Sequence, residues 1–505
     1  MDQQVRQNSQ EKSLTQRLLH KIEGWGNALP HPTMLFVYLS VFVIGLSWLG
    51  EYLALAVVHP VTGDKVVVVN LLSVDGLHRI LANMVTNFTQ FAPVGPVLVV
   101  MLGLGIAERS GLIQAALRQT VLRAPAQLLT FIVVLTGVLS SIAVDSGYVV
   151  MIPLAGMIFL AAGRHPLAGM AACFAGVSGG FSANLLIGPV DVILAGISTE
   201  AAHLLDDSYQ VSVTANYYFI IASTFLIAGL ATWVTERYIC PLLGEYTGPE
   251  KTELSSGSTK NERKALRWAL LAGLLMVGLV VWGLLPFNGF LRDPTTGSIV
   301  KSPFMSGLIP LIAISAGIMG SIYGYLSGRF TGHADIIESM EKSIAVMATY
   351  IVLMFFAAQF VSFFSWTQLG LLLAVSGADL LTLSGLGVVP LMLGFVLFCA
   401  FTNLFIGSAS AKWAIMAPVF IPMFMLHGVG PEVVQAAYRV GDSSTNIITP
   451  LMPYFALVFA FMKQYDSRAG VGTIMTLMLP YSVVFLVGWG VLLSVWLTLS
   501  LPLGP

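Results

Sequence analysis

The chain repeats a polar, breaker-containing pattern inside its apolar stretches. DSGYVVMIPL, from Asp145, is echoed by SAKWAIMAPV, from Ser410, with Tyr148 on Trp413, Met151 on Met416 and Pro153 on Pro418 at one constant offset. A second pair follows in the same order: SANLLIGP (Ser182 to Pro189) is echoed by STNIITP (Ser444 to Pro450), with Asn184 on Asn446. Each match alone is weak. Two in succession point to two related halves, and interrupted hydrophobic segments at corresponding places in two halves mark the binding site of a secondary transporter.

Composition puts those halves in a bilayer. With 56% hydrophobic and only 10% charged residues, the chain has too little polar surface for a soluble domain of 505 residues, where about a quarter of residues are charged. Runs such as Met34 to Gly50, Ala269 to Leu285 and Ile474 to Leu499 are wide enough to cross a membrane as helices. The three cysteines, Cys173, Cys240 and Cys399, are far apart and have no metal-ligand spacing, so neither a disulfide framework nor a structural metal is expected. No cofactor and no nucleic-acid partner are expected either; the charges sit almost wholly in loops. The first apolar run starts near Met34, after a polar stretch, so no cleavable signal peptide is visible.

The basic residues set the threading. Residues 1–30 carry Leu14, Leu18, Ile22 and Trp25 at helical spacing, which reads as an interfacial amphipathic segment. Arg6, Lys12, Arg17 and Lys21 make that end cytoplasmic by the positive-inside rule. The first membrane half covers 31–240, a basic cytoplasmic linker 241–265, and the second half 266–505. Spans are expected near 33–57, 93–118, 169–197, 215–238, 266–285, 305–326, 344–366, 431–462 and 471–499. The stretches 128–162 and 387–425 each start and end on one side, so each reads as a re-entrant hairpin, the first with its tip at 140–147. The expected fold is therefore all-α: about nine transmembrane helices and two hairpins entering from opposite faces, an inverted repeat with broken helices.

Ionisable groups at bilayer depth cost about 2.5–3.5 kcal/mol each on insertion scales, so they are candidates for function. Arg439 and Asp442 are three apart in YRVGDSSTNIITP and share a helix face, where they can partly neutralise one another. Their alternative role is to fasten one span as a buried ion pair. Asn184 and Asp191 flank the break at Gly188-Pro189. Broken helix ends offer carbonyls to cations and amides to anions. Asp145, Asn184, Asp191, Ser408, Ser410, Asp442, Ser443, Ser444 and Asn446 are the candidates for handling a coupling cation, with Na⁺ the one metal in view and H⁺ the alternative. For any single serine or asparagine among them, helix–helix hydrogen bonding is the plainer role. Asn403, Lys412, Trp413, Pro418, Arg439, Asp191 and Asp442 are the candidates for substrate. Lys412 has three readings: binding a substrate carboxylate, pairing with Asp145, Asp191 or Asp442, or snorkelling outward. Trp413 either stacks an aromatic substrate or simply packs. Glu108 and Arg109, at the inner end of the second span, are expected to face water.

At these residues the chain resembles the AbgT family of p-aminobenzoyl-glutamate transporters. The resemblance runs through NALPHPTMLFVYL, GLGIAERSGLI, the long GRHPLAGM…AGISTEAA block, NGFLRDP, GSASAKWAIMAPVFIPMFMLHG and YRVGDSSTNIITPLMPY. It implies a dimeric inner-membrane protein with nine helices and two hairpins per subunit. It also implies cation-coupled movement of p-aminobenzoyl-glutamate or related folate catabolites, with sulfonamide efflux in some members. Matching positions imply that Asp191, Asn403, Trp413, Pro418, Arg439 and Asp442 line the path. The chemistry agrees with such a substrate: Trp413 can stack its ring, and Arg439, with Lys412, can take a carboxylate.

Three rival readings remain. One is a Na⁺-coupled dicarboxylate or other organic-anion carrier on the same architecture. Another is an intramembrane serine protease, because GVSG (Gly176 to Gly179) matches a GxSG nucleophile motif. That chemistry also needs an intramembrane histidine, whereas all the histidines fall in loops or at span ends in this threading. The last is a channel, which a closed polar site between two halves argues against.

Overall fold

The computed structural model describes residues 32–58, 65–92, 94–122, 125–142, 147–248, 260–286, 288–299, 302–449, 452, 454–466 and 471–505. The amphipathic segment 1–30, the tip residue Asp145 and the stretch 249–259 of the linker lie outside the described residues. The first half contains α1 (Pro32–Tyr52), a ribbon of β1 (Ala56–Val58) and β2 (Lys65–Val67), then α2 (Val74–Thr89), α3 (Val94–Arg109), α4 (Leu112–Leu122) and α5 (Leu129–Ser140). It continues with α6 (Gly147–Ala161), α7 (Pro166–Gly179), α8 (Pro189–Ala202) and α9 (Tyr217–Leu243). The second half contains α10 (Lys260–Leu284), α11 (Leu308–Ser327), α12 (His333–Val346), α13 (Ala348–Trp366) and α14 (Leu369–Ser384). It ends with α15 (Val388–Asn403), α16 (Ala409–Leu426), α17 (Pro431–Asn446), α18 (Phe455–Lys463) and α19 (Val471–Thr498).

This is a helical, multi-pass membrane fold. Among the described residues, eight helices are long and apolar enough to cross a bilayer when α2 and α3 are counted together as one. Seven match spans expected from the sequence, and the eighth is α16, which the sequence reading assigns to the second hairpin. The two remaining expected spans are each split in two: α7 and α8 flank residues 180–188, and α17 and α18 flank 447–454. Glycine and proline shape the first break. Pro189 opens α8 directly after the extended Gly188, because proline fits a first helical turn but cannot continue one.

The all-α expectation holds, with one short ribbon added. β1 and β2 pair antiparallel, with Val57 opposite Val66. Their AVV and KVV sequences are rich in β-branched residues, which suit a pleated strand better than a helix. Charge threading also misses three helices. α2 mixes polar and apolar residues, α12 carries seven polar or charged side chains among its fourteen residues, and α14 has no basic flank to reveal it. α10 begins at Lys260, inside the segment expected to be linker.

The core forms where the two halves interleave. α8 packs on α16, α9 on α19, α3 on α11 and α12, and α1 on α13. α7 packs against both arms of the first hairpin, α5 and α6, and α17 packs against both arms of the second, α15 and α16. Buried apolar side chains from all these elements form one continuous cluster. α10 is the least buried of the long helices and shows Leu270, Leu271, Leu274, Leu275 and Trp282 outward, as a lipid-facing helix should.

Candidate functional site

The site begins with the sequence of α17. Gln435, Tyr438, Arg439, Asp442, Ser443, Ser444 and Thr445 are all buried in that one helix, and a polar face buried in a membrane protein must find partners in its neighbours. Arg439 does not pair with Asp442, although the two are three residues apart. Its Nη2 reaches across to Asp191 Oδ1 at 2.7 Å, while Asp442 Oδ1 takes the Lys412 ammonium at 2.5 Å. The halves are thereby joined by charge, with two cations and two carboxylates in one buried group. Asp191 also accepts the Gly188 amide on Oδ2 (2.7 Å), which satisfies the first orphan donor of α8.

Of the three sequence readings of Lys412, the structure shows the one in which it pairs with Asp442. Its Nζ also donates to Asn403 Oδ1 at 2.6 Å and lies 5.4 Å from the centre of the Tyr438 ring. Asn403, at the end of α15, turns its amide onto the Asp442 carbonyl (2.8 Å), Thr445 Oγ1 (3.0 Å) and Asn446 Oδ1 (2.8 Å). Tyr438 donates to the Ala409 carbonyl at 2.6 Å. Trp413 is fully buried, tilted against Tyr438 with ring centres 4.4 Å apart, and donates from Nε1 to Ser198 Oγ at 3.0 Å. Ser198 passes that bond to Gln435, and Gln435 to Asn216. Pro418 is buried within α16, which also carries Pro422.

The serines and asparagines hold the breaks. Ser443 Oγ accepts the Ser182 amide (3.1 Å), which ties the first break to α17. Ser444 donates to the Val440 carbonyl (2.6 Å). Asn184 donates to Ser141 Oγ (3.0 Å) and accepts the Leu185 and Leu186 amides. Ser408 caps α16 through the Ala411 amide and lies 3.4 Å from Ser410. Two buried polar atoms of the charged group, Asp442 Oδ2 and Arg439 Nε, have no hydrogen-bond partner among the described residues.

In front of this charged group lies a cavity of about 300 Å³, at the small end of the range for ligand pockets. Ser408, Ser410 and Asn446 line it, as do Pro189 and Val190 at the start of α8. Asp191 follows Val190 of the lining and Lys412 lies two residues beyond Ser410, but neither lines the cavity, nor do Asn403, Trp413, Arg439 and Asp442. The aromatic face of the cavity comes from residues that sequence reasoning did not place in the site: Tyr148, Tyr350 and Tyr454. Tyr148 and Tyr454 stack with ring centres 4.3 Å apart and planes 8° apart. The repeat held the signal, because Tyr148 is the counterpart of Trp413. Ser178 of the GVSG motif is buried and donates to the Met452 sulfur (3.2 Å) rather than to a histidine.

Two broken helices beside a ligand-sized cavity, with paired buried charges in a multi-pass membrane fold, define a secondary-transporter architecture. The AbgT putative transporter family matches residues 17–505, and the chain belongs to it. It is 39% identical over 489 residues to the p-aminobenzoyl-glutamate transport protein of Escherichia coli (strain K12), covering 96% of each chain. Among solved structures it is similar to the YdaH transporter of Alcanivorax borkumensis, with TM-score 0.91, 51% identity, and 94% of this chain and 100% of that one covered. It is also similar to MtrF of Neisseria gonorrhoeae, described as illuminating a class of antimetabolite efflux pumps, with TM-score 0.90, 45% identity, and 95% and 97% covered.

Proposed function

We infer that the chain is a cation-coupled carrier of p-aminobenzoyl-glutamate and related folate catabolites, and that sulfonamide antimetabolites leave by the same site. The observation that carries this reading is the cavity itself. Stacked Tyr148 and Tyr454 offer an aromatic face, and Ser408, Ser410 and Asn446 offer polar contacts. Asp191, next to Val190 of the lining, holds the Arg439 cation, and Lys412 lies two residues beyond Ser410 of the lining; in this reading the two cations balance a substrate carboxylate. Sulfonamides mimic the aminobenzoyl portion, so one aromatic face serves both. Asp191 and Asp442 are the carboxylates nearest to such a substrate, and the unpartnered Oδ2 of Asp442 is the atom best placed to take Na⁺ or H⁺. In this reading the protein works as a homodimer in the bacterial inner membrane with its N-terminus cytoplasmic, and its two hairpins enter from opposite faces. A Na⁺-coupled carrier of other dicarboxylates is the alternative on the same architecture.

The test is flux of p-aminobenzoyl-glutamate in proteoliposomes with Na⁺ and pH gradients imposed separately. One of the two gradients should raise the flux several-fold, and excess sulfonamide should compete. Flux that neither gradient alters removes the coupling, and flux of plain dicarboxylates without that of p-aminobenzoyl-glutamate favours the alternative.

A further inference from the structure

A second cavity, of about 360 Å³, adjoins the first and shares Met101 and Met347 with it. Its character is different. No charged residue lines the inner cavity, whereas Glu108, Arg109 and Arg329 line the outer one, with Gln114 and Ser343 beside them. Arg109 ends α3, and Arg329 follows Gly328, whose left-handed conformation (φ 81°) closes α11. The Arg329 guanidinium lies against Gly111, so closely that a β-carbon there would collide with it. Gly111 is itself left-handed (φ 84°), so glycine is favoured at that position for both reasons. Neither arginine has a carboxylate ion pair among the described residues. Ser343 Oγ donates to the Met101 carbonyl (2.8 Å) and pins α12 to α3 at the boundary between the cavities. Met347 is the single residue between α12 and α13.

We propose that this outer chamber is a carboxylate-binding station: Arg109 and Arg329 take the amino-acid end of an aryl-amide dicarboxylate before its ring passes Met101 and Met347 into the tyrosine-lined cavity. The inference rests on the function proposed above and adds a second subsite to it. The two chambers divide the ligand by chemistry. Guanidinium groups recognise carboxylates by paired donors, and tyrosine rings with flexible thioethers accept an aromatic ring. The positive-inside rule puts both arginines at cytoplasmic span ends, so the station faces the compartment from which an exporter loads.

The test uses the full-length chain with Arg109→Gln and Arg329→Gln together, and measures KM and kcat for p-aminobenzoyl-glutamate and for a sulfonamide without carboxylates. Two partly exposed charge contacts together are worth about a tenfold change in affinity. KM for the dicarboxylate should rise by that factor, with kcat nearly constant and a much smaller change for the sulfonamide. The Arg109→Lys, Arg329→Lys pair should restore part of the loss. In the wild type, added salt should raise KM for the dicarboxylate more than for the sulfonamide. Equal losses for both ligands, or no change for either, overturn the station. A wild type that moves no p-aminobenzoyl-glutamate instead overturns the substrate assignment, and the two failures are therefore distinguishable.

Discussion

Lys412 and Asp442 show how much a single buried pair can matter. Removing one member of such a pair leaves an uncompensated charge, which costs about 3–5 kcal/mol, whereas replacing both by apolar side chains is close to neutral. Lys412→Ala should therefore lower the unfolding midpoint of the detergent-solubilised protein sharply, and Lys412→Met with Asp442→Leu should recover most of the loss. A double-mutant cycle reads the coupling directly; additive single effects would mean that the 2.5 Å contact carries no energy. Flux should stay low in every variant, because the cavity has lost the charge behind its lining. The sequence gives three partners for Lys412 and suggests that Arg439 meets Asp442. The structure selects otherwise, since Arg439 and Asp442 share one helix but face different neighbours, α8 and α16. Spacing along a helix shows which residues share a face, and the tertiary neighbours decide which of them pair.

Elements meet through glycine where backbones must come close. A β-carbon on Gly441 would press on the Val396 carbonyl and stand 2.7 Å from Cys399 Cβ, so the α15–α17 contact depends on its absence. Gly441→Ala should cost about 1–3 kcal/mol, as overpacking does, and should loosen the helix that carries Arg439 and Asp442. Gly278→Ala on α10 has open space around it and should be neutral or slightly stabilising, since alanine favours a helix by about 0.5–1 kcal/mol. Unfolding midpoints of the two variants in one detergent check the contrast; equal shifts would count against close packing as the cause. The breaks were the most legible elements, because Gly188-Pro189 and the polar run ending at Pro450 announce them in both halves. α2, α12 and α14 were not legible. Their hydropathy or flanking charge falls below what distinguishes a span, and their positions follow from the helices they pack on, α3, α13 and α16.

At the scale of the whole molecule, the sequence repeat shows two halves but not that they interleave. Hydrophobic patterning identifies an apolar face without saying which other apolar face covers it. In the structure each half supplies partners to the other: α1 rests on α13, α3 on α11, α8 on α16 and α9 on α19. The Arg439–Asp191 pair and the Ser182–Ser443 bond cross the same divide at the site. Neither half then has a complete core alone, because surfaces meant for the other half would meet lipid or water with their polar groups unpaired. A chain divided within residues 249–259 tests this. Fragments 1–248 and 260–505 expressed together should co-purify through a tag on one of them and retain p-aminobenzoyl-glutamate flux, while either fragment alone should be degraded or aggregate. Asp191→Leu in the divided protein leaves Arg439 without its ion-pair partner, so it should reduce co-purification more than Gly278→Ala does. Fragments that fold separately into monodisperse particles and ignore each other would show two independent domains, and a site assembled from α8, α16 and α17 could not survive that result.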